Sequence, residues 1–535
     1  YVQADGLQTI GYDHGDYNVA TNYVKGNNSY TVFAGANYSH VDGTETWNNE
    51  NYQFPQSLFD RESYSKNSYQ NHQEYMQFRY QNQKGKRYWV GKFTLVNLST
   101  PRNASSGFAR ESTETDIFSN IRKKSLSPKI DLNANLPLSK NQTLTLGVHG
   151  KYSANSYHRL YQEQPFETMT DEDEKALSFQ LSAIYNYFSQ KHSLSVELFH
   201  YHDVWNADYS GNCELWQHLW KGESLAFFSY NFQASRRLSL KTRIGLDWLQ
   251  YHLHGDNSFS QLSPRINTNV QYQLNKGMLL WSFNFVNSNH GMDVINRAMI
   301  QVNSHMMEKG MPELKKSHDI NTYLYYMGRF NRLSVSAIGQ FRYNHHPVTD
   351  DYYLDEANGK IVKTYSNGGN AQYYSAILAL QYKLCKFANL SGDIRYNHAE
   401  VKTTWSKHNN NLTGNLGLNM FMGDFALKPY LHFGKKSLDE AALVISKTPI
   451  DYGMSCSYSR GNLYVELQAV SPFKKQEKQY WLDLPIYSYS KSIKDQTASQ
   501  YASIKVAYSF DFGRKTQKVE KDVNKNINSS LLRVE

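Results

Sequence analysis

The chain has 535 residues and a net charge of +9, yet only 40% of its residues are hydrophobic while 14% are aromatic, with 42 Tyr, 26 Phe and 9 Trp. That is little apolar side chain for a soluble core of this size, and no apolar run reaches the ~18 residues needed for a membrane-crossing helix. Cys213, Cys385 and Cys456 are too widely spaced for a CxxC pair or a disulfide framework, and the basic residues form no stripe that would fit nucleic acid.

In chain order, the sequence alternates apolar and polar residues in segment after segment. Residues 1–11, YVQADGLQTIG, alternate poorly but are needed as a first strand. In 129–138, Ile130, Leu132, Ala134, Leu136 and Leu138 share one face. In 237–248, Leu238, Leu240, Ile244, Leu246 and Trp248 share one face, while Arg243 and Asp247 lie on the other. In 331–343, Leu333, Val335, Ala337, Phe341 and Tyr343 oppose Arg332, Ser334, Ser336, Gln340 and Arg342. The pattern repeats in 462–469 and in 501–512, where Ile504, Val506, Tyr508 and Phe510 oppose Lys505, Ser509 and Asp511. Successive side chains of a strand point to opposite faces, so each segment has one oily and one wet side. A strand of ~9–11 such residues can cross a bilayer.

About ten short turns, from 26–29 to 459–462, interleave with about eleven longer polar connections, including 49–66, 100–124, 158–174, 209–221, 290–316, 346–370 and 473–497. Short turns on one rim and long loops on the other predict a large antiparallel transmembrane β-barrel of about 22 strands, with periplasmic turns and extracellular loops. A sandwich or propeller would have shorter strands or a repeated motif. The expected organisation is an outer-membrane barrel over 1–513 and a polar periplasmic tail over 514–535.

Enzyme motifs are absent: there is no GxSxG, HExxH, P-loop or GxGxxG. No catalytic residue, cofactor or metal site is therefore expected. His200 and His202 share a strand face near the outer rim, where a metal pair is the alternative to two solvated residues, and His345 and His346 adjoin Pro347 at a loop entry, where adjacent strand residues point opposite ways. The run Asp171, Glu172, Asp173, Glu174 offers carboxylates of the kind that bind Ca²⁺, but it lacks EF-hand spacing and reads as a solvated acidic loop. Aromatic faces bind sugars, chelates and peptides at low entropic cost. The loop aromatics Trp47, Phe54, Phe59, Phe108, Phe118, Trp205, Trp216 and Tyr352 are thus candidate ligand contacts, with loop packing and the outer aromatic girdle as the alternative roles.

Two stretches carry a family resemblance. In 290–328 a loop leads through Gly310, Pro312, Leu314 and Lys315 into a strand, departing from the family pattern at Met311, Lys316 and Ser317. At the end, the last strand closes in Phe510, Phe512 and Gly513 before a Lys-rich tail. The chain resembles the barrel of TonB-dependent receptor-like outer-membrane proteins, most closely the Bacteroidetes type, in which 290–328 often begins with a short helical loop. The resemblance implies a receptor or transporter of the bacterial outer membrane that captures an extracellular ligand, here unidentified, and takes up a nutrient. It also implies contact with outer-membrane lipid, an N-terminal plug domain ahead of residue 1, and energy from the TonB complex through that plug. The alternative from another class is an export, assembly or scaffold barrel without TonB-driven uptake.

Overall fold

The fold, taken from a computed structural model, is described for residues 1–54, 57–256, 258–288, 291–494, 499–510, 523–527 and 529. Twenty-two antiparallel strands form one closed wall. The first strand makes the closure. Val2–Ile10 pairs with Asp13–Lys25 on one side and with Tyr501–Phe510 on the other, placing Val2 opposite Phe510 and Ile10 opposite Ala502. The poor alternation of this strand is thus overridden by backbone pairing on both edges, which a cylinder requires of every strand.

The period of two sets the wall. On Leu238–Leu253 the outward Ile244, Leu246 and Trp248 are 49%, 51% and 48% exposed, while the inward Asp247 is fully buried. Elsewhere Ile130, Leu132, Leu378, Leu380, Leu467, Ile504 and Val506 are also exposed, and Ser127, Lys129 and Ser503 are buried. A fold in water would not leave alternate Ile and Leu uncovered along strand after strand. A wall facing hydrocarbon does. Tyr23, Tyr30 and Tyr80 form a ladder at the short-turn rim, with ring centroids 6.3 and 5.3 Å apart, and Tyr508 and Phe510 lie 4.4 Å apart at the same rim. These are girdle positions, where an amphipathic ring is satisfied. Replacing Ile244 by Arg should therefore cost ~2–4 kcal/mol of folding stability. Gln271→Arg on the bore face should cost less than about 0.5 kcal/mol. Denaturant titration in lipid vesicles reads both.

The short turns form where expected. Gly26, Gly461 and the non-glycine Asn331 adopt left-handed φ of +62°, +59° and +51°, as two-residue hairpins require. Arg332 sits in one of these turns, not on the inward face of the strand Leu333–His345. The long connections differ more from expectation. Much of 49–66, 100–124, 158–174 and 209–221 is strand. The hairpin Asn28–Phe54 with Ser57–Lys84 stays paired from Asn28–Asn82 to Phe54–Ser57. Strands of 27 and 28 residues are far longer than the ~9–11 that cross a bilayer, so these ribbons rise well above the apolar band. Four further strands, Lys435–Asp439, Val444–Thr448, Glu477–Asp483 and Tyr487–Lys494, extend the sheet beside the ribbon Asn28–Phe54.

Phe512 and Gly513, and most of 514–535, lie outside the described residues. Of the described part of that segment, 523–527 lie in the bore. Lys129 Nζ donates to the carbonyls of Asn524 and Asn526 at 2.8 and 2.6 Å, and Val523 and Ile527 pack on the inward Phe33, Tyr75 and Val96.

Candidate functional site

The long-loop mouth is spanned by a folded cap. Between the wall strands Gly277–Ser288 and Ser317–Phe330 the chain makes a helical turn, Met292–Ile295, and two short strands, Met299–Gln301 and Met306–Lys309. The short helix matches the loop that the resemblance implies. With Thr349–Asp355 and Lys360–Ser366 these strands build a separate four-stranded sheet. One side of the cap packs Ile295 and Leu314 on the inward wall residues Ala176, Trp205, Leu219 and Leu253, and Ala298 and Ile300 on Ala207 and Tyr209. The opposite side packs Met306, Tyr352 and Ile361 with Tyr52, Ala371, Val401, Leu482 and Tyr487.

The family-motif segment fixes the cap to the wall. A Cβ on Gly310 would meet the Asn296 carbonyl oxygen at 2.1 Å, so the close approach there needs glycine. The Pro312 carbonyl accepts a bond from Tyr251 Oη at 3.2 Å, Leu314 is buried, and the Lys315 amide donates to Asn367 Oδ1 at 3.2 Å. The departure at Lys316 has a partner: its ammonium lies 2.9 Å from Asp247, fully buried with it. Asp247 also meets Arg265 at 2.6 Å, and Arg265 reaches Glu223 at 3.1 Å.

A second charge cluster ties the ribbon tips together. Arg61, 4% exposed, contacts Glu50 and Glu163, each at 2.8 Å, and Tyr161 at 3.1 Å. Its Nε lies 3.5 Å from Glu111, which holds His305 of the cap at 2.9 Å. Burial alone would raise the Glu163 carboxyl, but Arg61 and the hydroxyls of Tyr161 and Ser304 hold it below the ordinary value. A third cluster lies within the cap, where Lys363 stands 3.4 Å from both Glu308 and Asp350. Burial raises both of these carboxyls, and Lys363 opposes the rise. Arg159 reaches from the wall to donate to the carbonyls of Gln301 and Val302 at 2.9 and 2.5 Å.

Sequence reasoning passed over Arg61, Glu163 and Glu308 because nothing in a polar stretch distinguishes a buried ion from a wet one. The acidic run is the clearest difference. Asp171–Glu174 is strand, so its residues alternate: Glu172 and Glu174 point inward and are 2% and 1% exposed, while Asp173 faces outward into solvent. The structure does not gather the candidate aromatics into one pocket. Trp205 and Tyr352 are buried as packing in two separate clusters, and Phe54 and Phe59 pack half-buried against the one that holds Tyr352. Trp47 and Phe108 flank Tyr64, with ring centroids 4.3 and 5.9 Å from it, on the outer face of the ribbons. Phe118 and Trp216 also face outward and are exposed. Below the cap the bore is wet. A groove of about 710 Å³ is lined by Ser334, Gln381, Asp393, Asn415, Asn419 and Lys428 among others.

No family model matches the sequence, and no curated protein matches it. Solved structures do. A copper transporter, OprC, superposes with a TM-score of 0.66 at 10% identity, over 95% of this chain and 80% of that one. The ferric enterobactin receptor PfeA of Pseudomonas aeruginosa, as a mutant in complex with enterobactin, gives 0.61 at 10% identity over 95% and 81%. The FrpB iron transporter of Neisseria meningitidis, in its F3-3 variant, gives 0.59 at 8% identity over 95% and 81%. The Bacteroidetes detail of the resemblance rests on the sequence motifs alone. By its closed wall, its strand number and these likenesses, the chain has the fold of the TonB-dependent receptor barrels of the bacterial outer membrane.

Proposed function

We propose that this chain is the barrel of an outer-membrane uptake receptor that captures an extracellular ligand at its capped mouth and passes it inward. In this reading a plug domain gates the bore and the TonB complex supplies the energy. One observation carries the proposal: a wet 22-stranded bore lies beneath a folded cap that buried ions attach to both sides of the wall. A wall this wide cannot fill its bore with its own side chains, and barrels of this size hold a plug. The transporters and receptors among its structural neighbours support the uptake class. Outward-facing Trp47, Phe108, Phe118 and Trp216 remain candidate first contacts for a ligand.

The test uses the full-length protein in cells. Cys213, Cys385 and Cys456 are replaced by serine, and Gln381→Cys is placed in the bore. Labelling by a membrane-impermeant maleimide should require TonB and fall when the proton motive force is collapsed. Labelling that ignores both would overturn uptake and favour an export or scaffold barrel.

A further inference from the structure

Glu172 sits where the wall meets the inserted loop. It lies on Phe166–Phe188, directly opposite Tyr157 of one neighbouring strand and Tyr209 of the other. Glu174, two residues on, shares its inward face and lies opposite Asn155 and Ala207. Residues directly opposite across strands have Cβ atoms ~4.5–5.5 Å apart, so these oxygen-bearing residues are neighbours on the inward face, and Thr170 shares that face two residues before Glu172. Tyr157, Thr170, Glu172 and Glu174 are each no more than 3% exposed. Among the described residues, one carboxylate oxygen of Glu172, the Thr170 hydroxyl and the Tyr157 hydroxyl make no hydrogen bond.

Buried polar atoms without partners are costly, and a buried carboxylate without a counter-charge more so. The partners that do reach Glu172 are neutral or negative: the Tyr209 hydroxyl donates to it, and Glu174 and Asp173 repel it. Of the basic groups on the same inward face, Arg159 donates to two loop carbonyls, Lys123 lies over the Tyr157 ring, and Lys151 is drawn to both Asp203 and Glu174. Asn155 Nδ2 donates to Glu174, which ties the Asn155 side chain to the same cluster.

We propose that Glu172 and Glu174, with the oxygens of Thr170, Asn155 and Tyr157, hold a divalent cation of the Ca²⁺ type. Two carboxylates with neutral hydroxyl and amide oxygens form a hard, all-oxygen donor set. Ca²⁺ accepts such a set in irregular geometry, whereas Mg²⁺ demands a near-ideal octahedron and keeps its waters. The ion would join two wall strands directly. It would join the cap through Tyr209, whose hydroxyl accepts a bond from Asn296 Nδ2 at 2.5 Å. The inference stands apart from what passes through the bore.

The experiment uses the full chain folded in detergent micelles and stripped with EDTA. Tb³⁺ luminescence sensitised by tyrosine should rise to saturation and be displaced by Ca²⁺ but not by Na⁺. Glu172→Gln should weaken Ca²⁺ competition at least about tenfold, and Thr170→Val, which keeps the shape and serves if the first variant fails to fold, should weaken it in the same direction. Asp171→Asn, on the opposite strand face, should change nothing. No saturable signal overturns the site, and so does equal loss with Asp171→Asn. A stability gain in Glu172→Gln without Ca²⁺ binding in the parent would also overturn it, by showing that the carboxyl is simply protonated.

Discussion

Replacing Arg61 with alanine should open the cap while leaving the wall closed. The guanidinium sits between Glu50 and Glu163 at 2.8 Å each, and all three groups are less than a tenth exposed. Removing it strands two carboxylates in a site that water does not reach. Breaking a buried pair by deleting one partner costs ~3–5 kcal/mol, because the remaining charge is uncompensated. The loss should be local. Arg61 lies on the inward face of a ribbon above the apolar band, and the wall below is held by backbone pairing on every edge. Hydrogen exchange at Met306–Lys309 and Lys360–Ser366 should therefore quicken by a factor on the order of 10² or more. Exchange in Leu238–Leu253 should not change. Adding Glu50→Gln and Glu163→Gln to Arg61→Met removes the stranded charges and should recover most of the protection. Failure to recover would mean that Arg61 acts by packing alone.

The same cluster carries an acid-side signature. Arg61 holds Glu163 below the ordinary carboxylate value. A group lowered in the folded state contributes stability that is complete above the unfolded value, near ~4.3 for Glu. That contribution is lost as pH falls through the lower folded value. The part of cap opening that Glu163→Gln abolishes should thus show up only below about pH 4.

The wall was legible because its two faces meet different solvents. Ile244, Leu246 and Trp248 against Arg243 and Asp247 is a contrast any period-two reading finds, and the paired turns at Gly26 and Gly461 mark the ends of strands. Above the membrane both faces are polar, so the contrast vanishes although the backbone stays paired. That is why 49–66 and 158–174 read as loops and prove to be ribbon. The cap was half legible. Gly310, Pro312, Leu314 and Lys315 stand out in the sequence as a motif, and the structure gives each a place in anchoring the loop. Nothing in the sequence says which wall carboxylate Lys316 will meet 69 residues away, or that the inward half of an acidic run will be buried. Those facts depend on which strands the cylinder brings side by side.

Lys316→Met should release the opposite end of the cap. Lys316, Asp247, Arg265 and Glu223 form a neutral set of two cations and two anions. The ammonium and the Asp247 carboxylate are fully buried, and among the described residues one Asp247 oxygen already makes no hydrogen bond. Methionine matches the stem of lysine in volume, so the space is kept filled and the effect isolates the charge. Arg265 still faces Asp247, which places the expected loss near the lower end of the range for a broken buried pair, ~3 kcal/mol. Asp247→Asn in the same chain removes the surplus charge and should return about half of that loss or more, since replacing both partners of a buried pair is often near neutral. A double-mutant cycle read by hydrogen exchange at Met299–Gln301 separates the two cases. A coupling energy below about 0.5 kcal/mol, the level at which independent sites simply add, would mean that the motif segment is held by Gly310 and Leu314 alone. A coupling of about 1.5 kcal/mol or more, roughly tenfold in the opening equilibrium, would make the Lys316–Asp247 pair the latch on this side of the mouth.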